Sequence, residues 1–525
     1  MLWEIELLYL VAMLATFIVL LIVGKTPSGI ALMAAAVVGF VLSAIFSHTD
    51  LNIRHFIEGA FGYFDTILVI VCAMIFIKGL EKSGALDYLC ALLVKAFKKV
   101  PTILLVVFML ILMLPGMVTG SSLAAVISIG AIVSPIMLKM GLPRTKVAAI
   151  VGFGAILGMV APPINIPVMA ICDVVDIPYT GFTTPLFALT LPLALFAVLF
   201  LSKAWKKGEG VEKKNWLETV ILLSVLGVIE IVLIISTIVM NVKESANAEL
   251  MIWLLIIYTI MIIALALILI LGKSYSVELN LDEIGEAIDF NVLSELNFTV
   301  LIPLIIVVLL YVGQSIFPRI IGMLGTPLYF VIGFIFTTFL GRKHNVVFTL
   351  KDGIAKSISA MGLLMGVGMF VQVMTLNGVR GYFVINAISL PSIWQYVAIA
   401  VAVPVFGGIS AFGSASILGG PFVMALLASN EIIVASALSL VAALGEFLPP
   451  TAMSATFAGK QVGEEKALKV TKSAVIPLVV CLIYALIFII GVFLVWNVFE
   501  SKNIYDKVLG SIMLVLLILR LLLIK

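Results

Sequence analysis

The sequence predicts an all-α polytopic membrane protein made of two matched halves of opposite orientation, with about 13 spans. Three observations carry this. The chain of 525 residues is 63% hydrophobic and only 11% charged, with a mean hydropathy of +1.29, which excludes a soluble globular protein. Polar interruptions come as a matched pair. GMVTGSSLAAVISIG…GFGAILGMVAPPINIP runs from Gly116 to Pro167, and GGISAFGSASILGGPFVMALL…VAALGEFLPPTAMSATFAG from Gly407 to Gly459. A shared register also links the halves: Gly39, Gly59, Phe76, Gly84 and Tyr88 recur 294 positions later as Gly333, Gly353, Phe370, Gly378 and Tyr382, and the offset becomes 293 at Ser121/Ser414 and 287 at Pro162-Pro163/Pro449-Pro450.

The elements follow in order. The N-terminal stretch MLWEIELLYLVAMLATFIVLLIVGK carries acids where a signal peptide would carry bases, so it reads as a retained span. The first repeat covers 1–203, with scaffold helices within 5–46 and transport elements over 64–203. The run 101–140 is twice a spanning length, and Gly120-Ser121-Ser122 splits it into two short arms of a re-entrant hairpin. A helix over 144–172 breaks at Pro162-Pro163. Residues 204–296 form a bridge, with spans near 217–241 and 250–272. The second repeat covers 297–500, with a hairpin at 404–428 and a break at Pro449-Pro450. An extra span over 501–525, centred on 508–524, ends the chain.

An odd number of crossings precedes the second repeat, so it enters the membrane from the opposite side. The basic residues agree. Lys95, Lys139, Arg144, Lys146, Lys203, Lys206, Arg342, Lys343, Lys351 and the run Lys460–Lys472 fall on one side, as a cytoplasmic face requires. This places the N-terminus outside and the C-terminus inside.

Backbone released from helical bonding at membrane depth persists only where protein or a water-filled cavity satisfies it. Gly120 and Gly413 permit tight kinks, and Ser121, Ser122, Ser414 and Ser416 add hydroxyls that cap a helix or bind a cation. The second arm of each hairpin points a helix N-terminus inward, which suits a carboxylate. Pro162 and Pro449 free the carbonyls of Gly158–Ala161 and Gly445–Leu448, while Asn165 and Thr451 supply side-chain oxygens. One hairpin tip with one broken helix gives a Na⁺ site, and the repeat gives a second. Glu446, an acid within an apolar run, reads as a cation ligand or proton carrier, or as a group bonded to hairpin backbone. Its repeat position holds Met159.

The formal charge of +3 argues against nucleic acid as a partner. Cys72, Cys90, Cys172 and Cys481 lie in apolar runs, and His48, His55 and His344 lack ligand spacing, so no metal beyond Na⁺ and no cofactor is expected. No nucleophile–base pair or phosphate loop is present, so the chain reads as a transporter and not an enzyme.

The run from Gly84 through GMVTGSSLAAVISIGAIVSPIM to APPINIPVMAI resembles the large membrane subunit of TRAP transporters, within the ion transporter superfamily. The resemblance is strongest over 56–203 and weaker over 324–496. It implies an inverted-repeat elevator fold in a prokaryotic inner membrane, driven by Na⁺ and importing C4-dicarboxylates, sugar acids or similar carboxylates. It also implies a small membrane subunit and an extracytoplasmic solute-binding protein as partners. Carried over, Gly120, Ser121, Ser122, Pro162 and Asn165 form one ion site. Gly413, Ser414, Ser416, Gly445, Pro449 and Thr451 form the other, with substrate between them at Ser122, Asn165, Ser416, Thr451 and Glu446. Asn165, Glu446 and the Thr451-Ala452-Met453 continuation depart from the family pattern. The alternatives are a proton-coupled carrier or exchanger using Glu446, and a membrane assembly subunit with no transport of its own.

Overall fold

The structure, a computed structural model, describes residues 2–24, 26–47, 53–97, 100–202, 220, 290–316, 324–408, 410–426, 430–449 and 451–500. The bridging spans near 217–241 and 250–272, the final span at 508–524 and Pro450 lie outside the described residues. Among the described residues every regular element is helical. Six of these helices are long and apolar enough to cross a membrane, as expected of a polytopic membrane protein.

The first half contains α1 (Leu2–Ile22), α2 (Ser28–Ser47), α3 (Arg54–Phe61), α4 (Phe64–Lys82), α5 (Ala85–Phe97) and α6 (Pro101–Thr119). It continues with α7 (Ser122–Ala125), α8 (Ala131–Lys139), α9 (Arg144–Val160), α10 (Ile166–Val175) and α11 (Thr183–Ser202). After the short α12 (Val292–Glu295) come α13 (Ile302–Ile316), α14 (Thr326–Phe339), α15 (Val346–Leu376), α16 (Val379–Ser389) and α17 (Ser392–Gly407). The last elements are α18 (Ala411–Ser414), α19 (Gly420–Ala425), α20 (Glu431–Leu444), α21 (Met453–Gln461) and α22 (Ala467–Glu500).

The two halves repeat these elements in the same order and reuse contacts. Gly39 of α2 packs on Met13 of α1, and Gly333 of α14 packs on Val307 of α13, each residue shifted by 294. Left-handed glycines open α5 and α16 alike, Gly84 at φ +80° and Gly378 at φ +76°. Equivalent helices run antiparallel. Gly59 rests on the backbone of Gly368 and Met369, while Gly353 rests on Ile75. The second contact is the first one carried through the register to within one residue, so a near two-fold axis relates the halves. Helix α4 also packs along α14, where Phe76 and Phe330 rings sit 5.9 Å apart.

Three sequence expectations change here. The arms of the first hairpin are not short: Pro101–Thr119 and Ser122–Lys139 are 19 and 18 residues long. At about 1.5 Å per residue each can reach across a bilayer core. The helix carries on past the serines through a wide π turn at Val126–Gly130. The second hairpin runs from Ser392 to Ala425 with its tip at Gly408–Ser410, before the expected Gly413. Gly413 and Ser414 are helical, and Gly413 is not among the left-handed glycines. The repeat is also uneven: α3 and α4 part at Gly62–Tyr63, whereas α15 runs unbroken for 31 residues.

Candidate cation site

Each hairpin tip carries a capping serine, preceded in the first hairpin by a left-handed glycine. Gly120 ends α6 at φ 62°, and Ser121 accepts from the Ala124 N–H to start α7. In the second half Ser410 accepts from the Gly413 N–H to start α18. Ser410, not Ser414, is therefore the counterpart of Ser121, and a π turn follows each cap, at Val126–Gly130 and Ala415–Gly419.

The breaks are tied to their own hairpins. After the first double proline, whose peptide Pro162–Pro163 is cis, the Ile164 N–H donates to Met117 O at 3.2 Å. After the second, the Thr451 N–H donates to Gly408 O at 3.2 Å, and the Thr451 hydroxyl donates to the same carbonyl at 2.7 Å. Gly120 sits against Ile164 and Ile166, and Gly408 against the Pro449 carbonyl. Close packing of glycines makes this approach feasible: Gly116 meets the backbone of Gly158 and Met159, and Gly445 meets that of Gly407 and Pro404.

Many of the polar groups that sequence reasoning offered to ions are taken by the protein. Asn165 caps α10 through its Oδ1, accepting from the Val168 N–H at 2.9 Å. Its amide nitrogen donates to Val160 O at 2.8 Å and to the Ser439 hydroxyl at 3.0 Å. Phe447 O accepts from the Thr471 hydroxyl, and Leu448 O from the Ala452 N–H. Ser414 donates to Val403 O and Ser416 to Phe412 O. Val160, Phe447 and Leu448, among the carbonyls expected to be free, thus have partners. Helix termini meet here, and the chain satisfies them.

Glu446 differs. It sits in the short 3₁₀ turn Gly445–Phe447 that ends α20, and it is 5% exposed. Its Oε2 accepts from Ser122 Oγ of the first hairpin at 2.6 Å and from Ser454 Oγ of α21 at 2.5 Å. One carboxylate thereby joins the tip of one half to the broken helix of the other. Phe447 fixes the turn, its ring lying over Gly152 and 4.8 Å from Phe153. Ala452, which precedes α21, holds a left-handed conformation at φ 41° and ψ 47°. That conformation costs a non-glycine residue about 1–2 kcal/mol, and it sets Ser454 two residues on.

No ion pair of Glu446 exists among the described residues. A buried carboxylate bonded only to neutral hydroxyls is costly as a bare anion, which makes Glu446 a candidate to bind a proton or a cation. Its surroundings leave room for one. Glu446, Ser121, Ser122, Ser128 and Met453 line one wall of a cavity of about 90 Å³, enough for several waters or a partly hydrated ion. The opposite wall comes from α4 and α15: Ile70, Met74, Ile77, Lys78, Lys356 and Leu363. Sequence reasoning missed Ser454, Ser439, Ser410, Lys78 and Lys356. Ser410 lies within the Gly/Ser interruption but was passed over for Ser414, and the other four are ordinary residues in helices with no local signal of their own.

The fold and site are those of a polytopic membrane protein with a buried, cavity-facing carboxylate between two hairpin–break pairs. Residues 1–200 match a family model described as the Na⁺/H⁺ antiporter family. No curated protein matches the chain. The match corrects the resemblance to the TRAP large subunit, whose defining run lies within those same residues. Glycine–serine kinks and double-proline breaks report how a backbone is opened in the membrane, which different transporter families share. The match supports a cation-coupled secondary transporter with Na⁺ and the bilayer as partners. The small subunit and binding protein lose the resemblance on which they rested.

Proposed function

We propose that this chain is a cation-coupled secondary transporter in which Na⁺ and H⁺ compete for the Glu446 carboxylate, exchanging one for the other across the membrane. The observation that carries this reading is the buried Glu446, bonded to Ser122 and Ser454 and facing a cavity. With either cation bound, the site is neutral enough to move through a low-dielectric path; empty, it is held in place by the cost of a bare buried charge. The hydroxyl oxygens of Ser122 and Ser454 keep lone pairs for Na⁺ and protons for the carboxylate, so they serve both occupants. The moving body comprises the hairpins and broken helices, sliding as an elevator against α2, α4, α14 and α15. Ion binding at Asn165 and Thr451 is secondary, because their polar atoms already hold the breaks to Ser439 and Gly408.

The test is Na⁺-driven proton movement by the purified full chain in proteoliposomes carrying an internal pH dye. Wild type should alkalinise or acidify the lumen according to the Na⁺ gradient, and Glu446→Gln should not. Equal proton movement in Glu446→Gln would remove the proposal. A second reading keeps a small organic anion as cargo beside Na⁺, favoured by the Lys78 and Lys356 ammonium groups on the cavity wall. It requires that C4-dicarboxylates or sugar acids stimulate the Na⁺ flux.

A further inference from the structure

The two ends of the scaffold differ in charge where they face the carrier. In the first half, α4 lines the cavity with Ile70, Met74, Ile77 and Lys78. The same register positions in α15 are Leu364, Gly368, Val371 and Gln372. Lys356, on the α15 side of the cavity, corresponds to Gly62. The cavity end therefore carries two ammonium groups where the mirror end has an amide and a glycine.

Lys78 is held in place. Its ammonium pairs with Glu81 at 2.5 Å and lies 3.6 Å from Asp352, while its side chain is only 12% exposed. Glu81 and Asp352 are more exposed, at 36% and 27%, and do not line the cavity. They hold the ammonium without lining the cavity themselves. The mirror end is built differently. Gly368 is covered by Gly59 and the Tyr63 ring, and Gln372 lies against Gly59. Tyr63 sits beside Ser416 of the second hairpin, within the fields of Asp173 and Arg380, and Asp173 feels Asp65. Glu6 packs against Gly378 at this same end. Three carboxylates against one guanidinium make that end attractive to a cation. Asp173 of α10 has Lys460 of α21 as its register partner, so the polarity extends to the carrier itself.

We propose that Lys78 is the residue that lowers the affinity of Glu446 for Na⁺ when the carboxylate faces the α4 end, so that Na⁺ binds more weakly there than at the other face. This rests on the exchange reading above. A fixed ammonium lining the same cavity as Glu446 repels a cation bound there, less strongly for its pairing with Glu81 and Asp352.

The experiment compares right-side-out and everted membrane vesicles carrying the full chain, reading the Na⁺ concentration that half-saturates proton-coupled flux from each face. Wild type should half-saturate at a higher Na⁺ concentration from the face toward which the α4 end opens. Lys78→Gln should bring the ratio close to one by tightening the weak face alone. A ratio unchanged in Lys78→Gln, or both faces shifted together, would overturn the inference. Should Lys78→Gln fail to fold, Gln372→Lys serves instead: it should weaken Na⁺ only at the opposite face, and no change there would equally overturn it. Flux that persists in Glu446→Gln would sink the exchange reading itself. Glu446-dependent flux with an unmoved ratio would sink only the role of Lys78.

Discussion

Replacing Ser122 by alanine removes one of the two hydroxyls that hold Glu446. The bond is short, at 2.6 Å, and Ser122 is 3% exposed. A hydrogen bond to a charged group is worth about 1.5–3 kcal/mol, and about 1.4 kcal/mol is a factor of ten. The deleted oxygen leaves a void smaller than a methyl group, so packing loss is minor. Ser454 still donates at 2.5 Å, which keeps the carboxylate in position with half its partners. Half-saturating Na⁺ for proton-coupled flux in proteoliposomes should therefore rise about tenfold, while Ser122→Thr, which retains a hydroxyl, should stay within about threefold of wild type. Thermal unfolding in detergent would confirm that the alanine variant is folded. A folded Ser122→Ala with wild-type Na⁺ dependence would refute the reasoning, because the hydroxyl would then contribute nothing to the occupied site.

Other outcomes follow from the same geometry. Glu446→Gln keeps the shape but removes the charge, so Na⁺-dependent flux and its pH dependence should both vanish, read as proton movement between acidic and alkaline media. Gly120→Ala places a methyl at φ 62° against Ile166 and Ile164, and should cost about 2–4 kcal/mol from left-handed strain and overpacking, seen as a fall in melting temperature. Asn165→Ala loses the cap and the bond to Ser439 and should cost about 1–3 kcal/mol. Asn165→Asp restores only the cap, and should recover part of that loss.

The opened backbone was legible in the sequence because it is written in residues with few other uses in an apolar helix. Gly120, Ser121, the double prolines and Asn165 each form the kink, cap or break that their chemistry dictates. Glu446 stood out as an acid in an apolar run, and the structure gives it hydroxyl partners in place of hairpin backbone. The second tip was misplaced because GGISAFGSAS offers three serines, and the one-dimensional register favoured Ser414. Three-dimensional packing selects Ser410, because Pro115, Ser121 and the π turn at Val126 recur with one offset of 289 as Pro404, Ser410 and the π turn at Ala415. Ser439 and Lys78 were invisible because they meet Asn165 and Asp352 across hundreds of residues, and Ser454 because it reaches Glu446 only through the turn between them. The family reading failed for a related reason: kinks and breaks encode how a backbone opens in the membrane, which does not single out one transporter family.

Binding of radiolabelled Na⁺ to the purified full chain tests the central claim most directly, because it needs no flux and no assumption about motion. Wild type should bind Na⁺ saturably, acid should displace it, and Glu446→Gln should lose it. Saturable binding in Glu446→Gln equal to that of wild type would place the cation elsewhere and contradict the site.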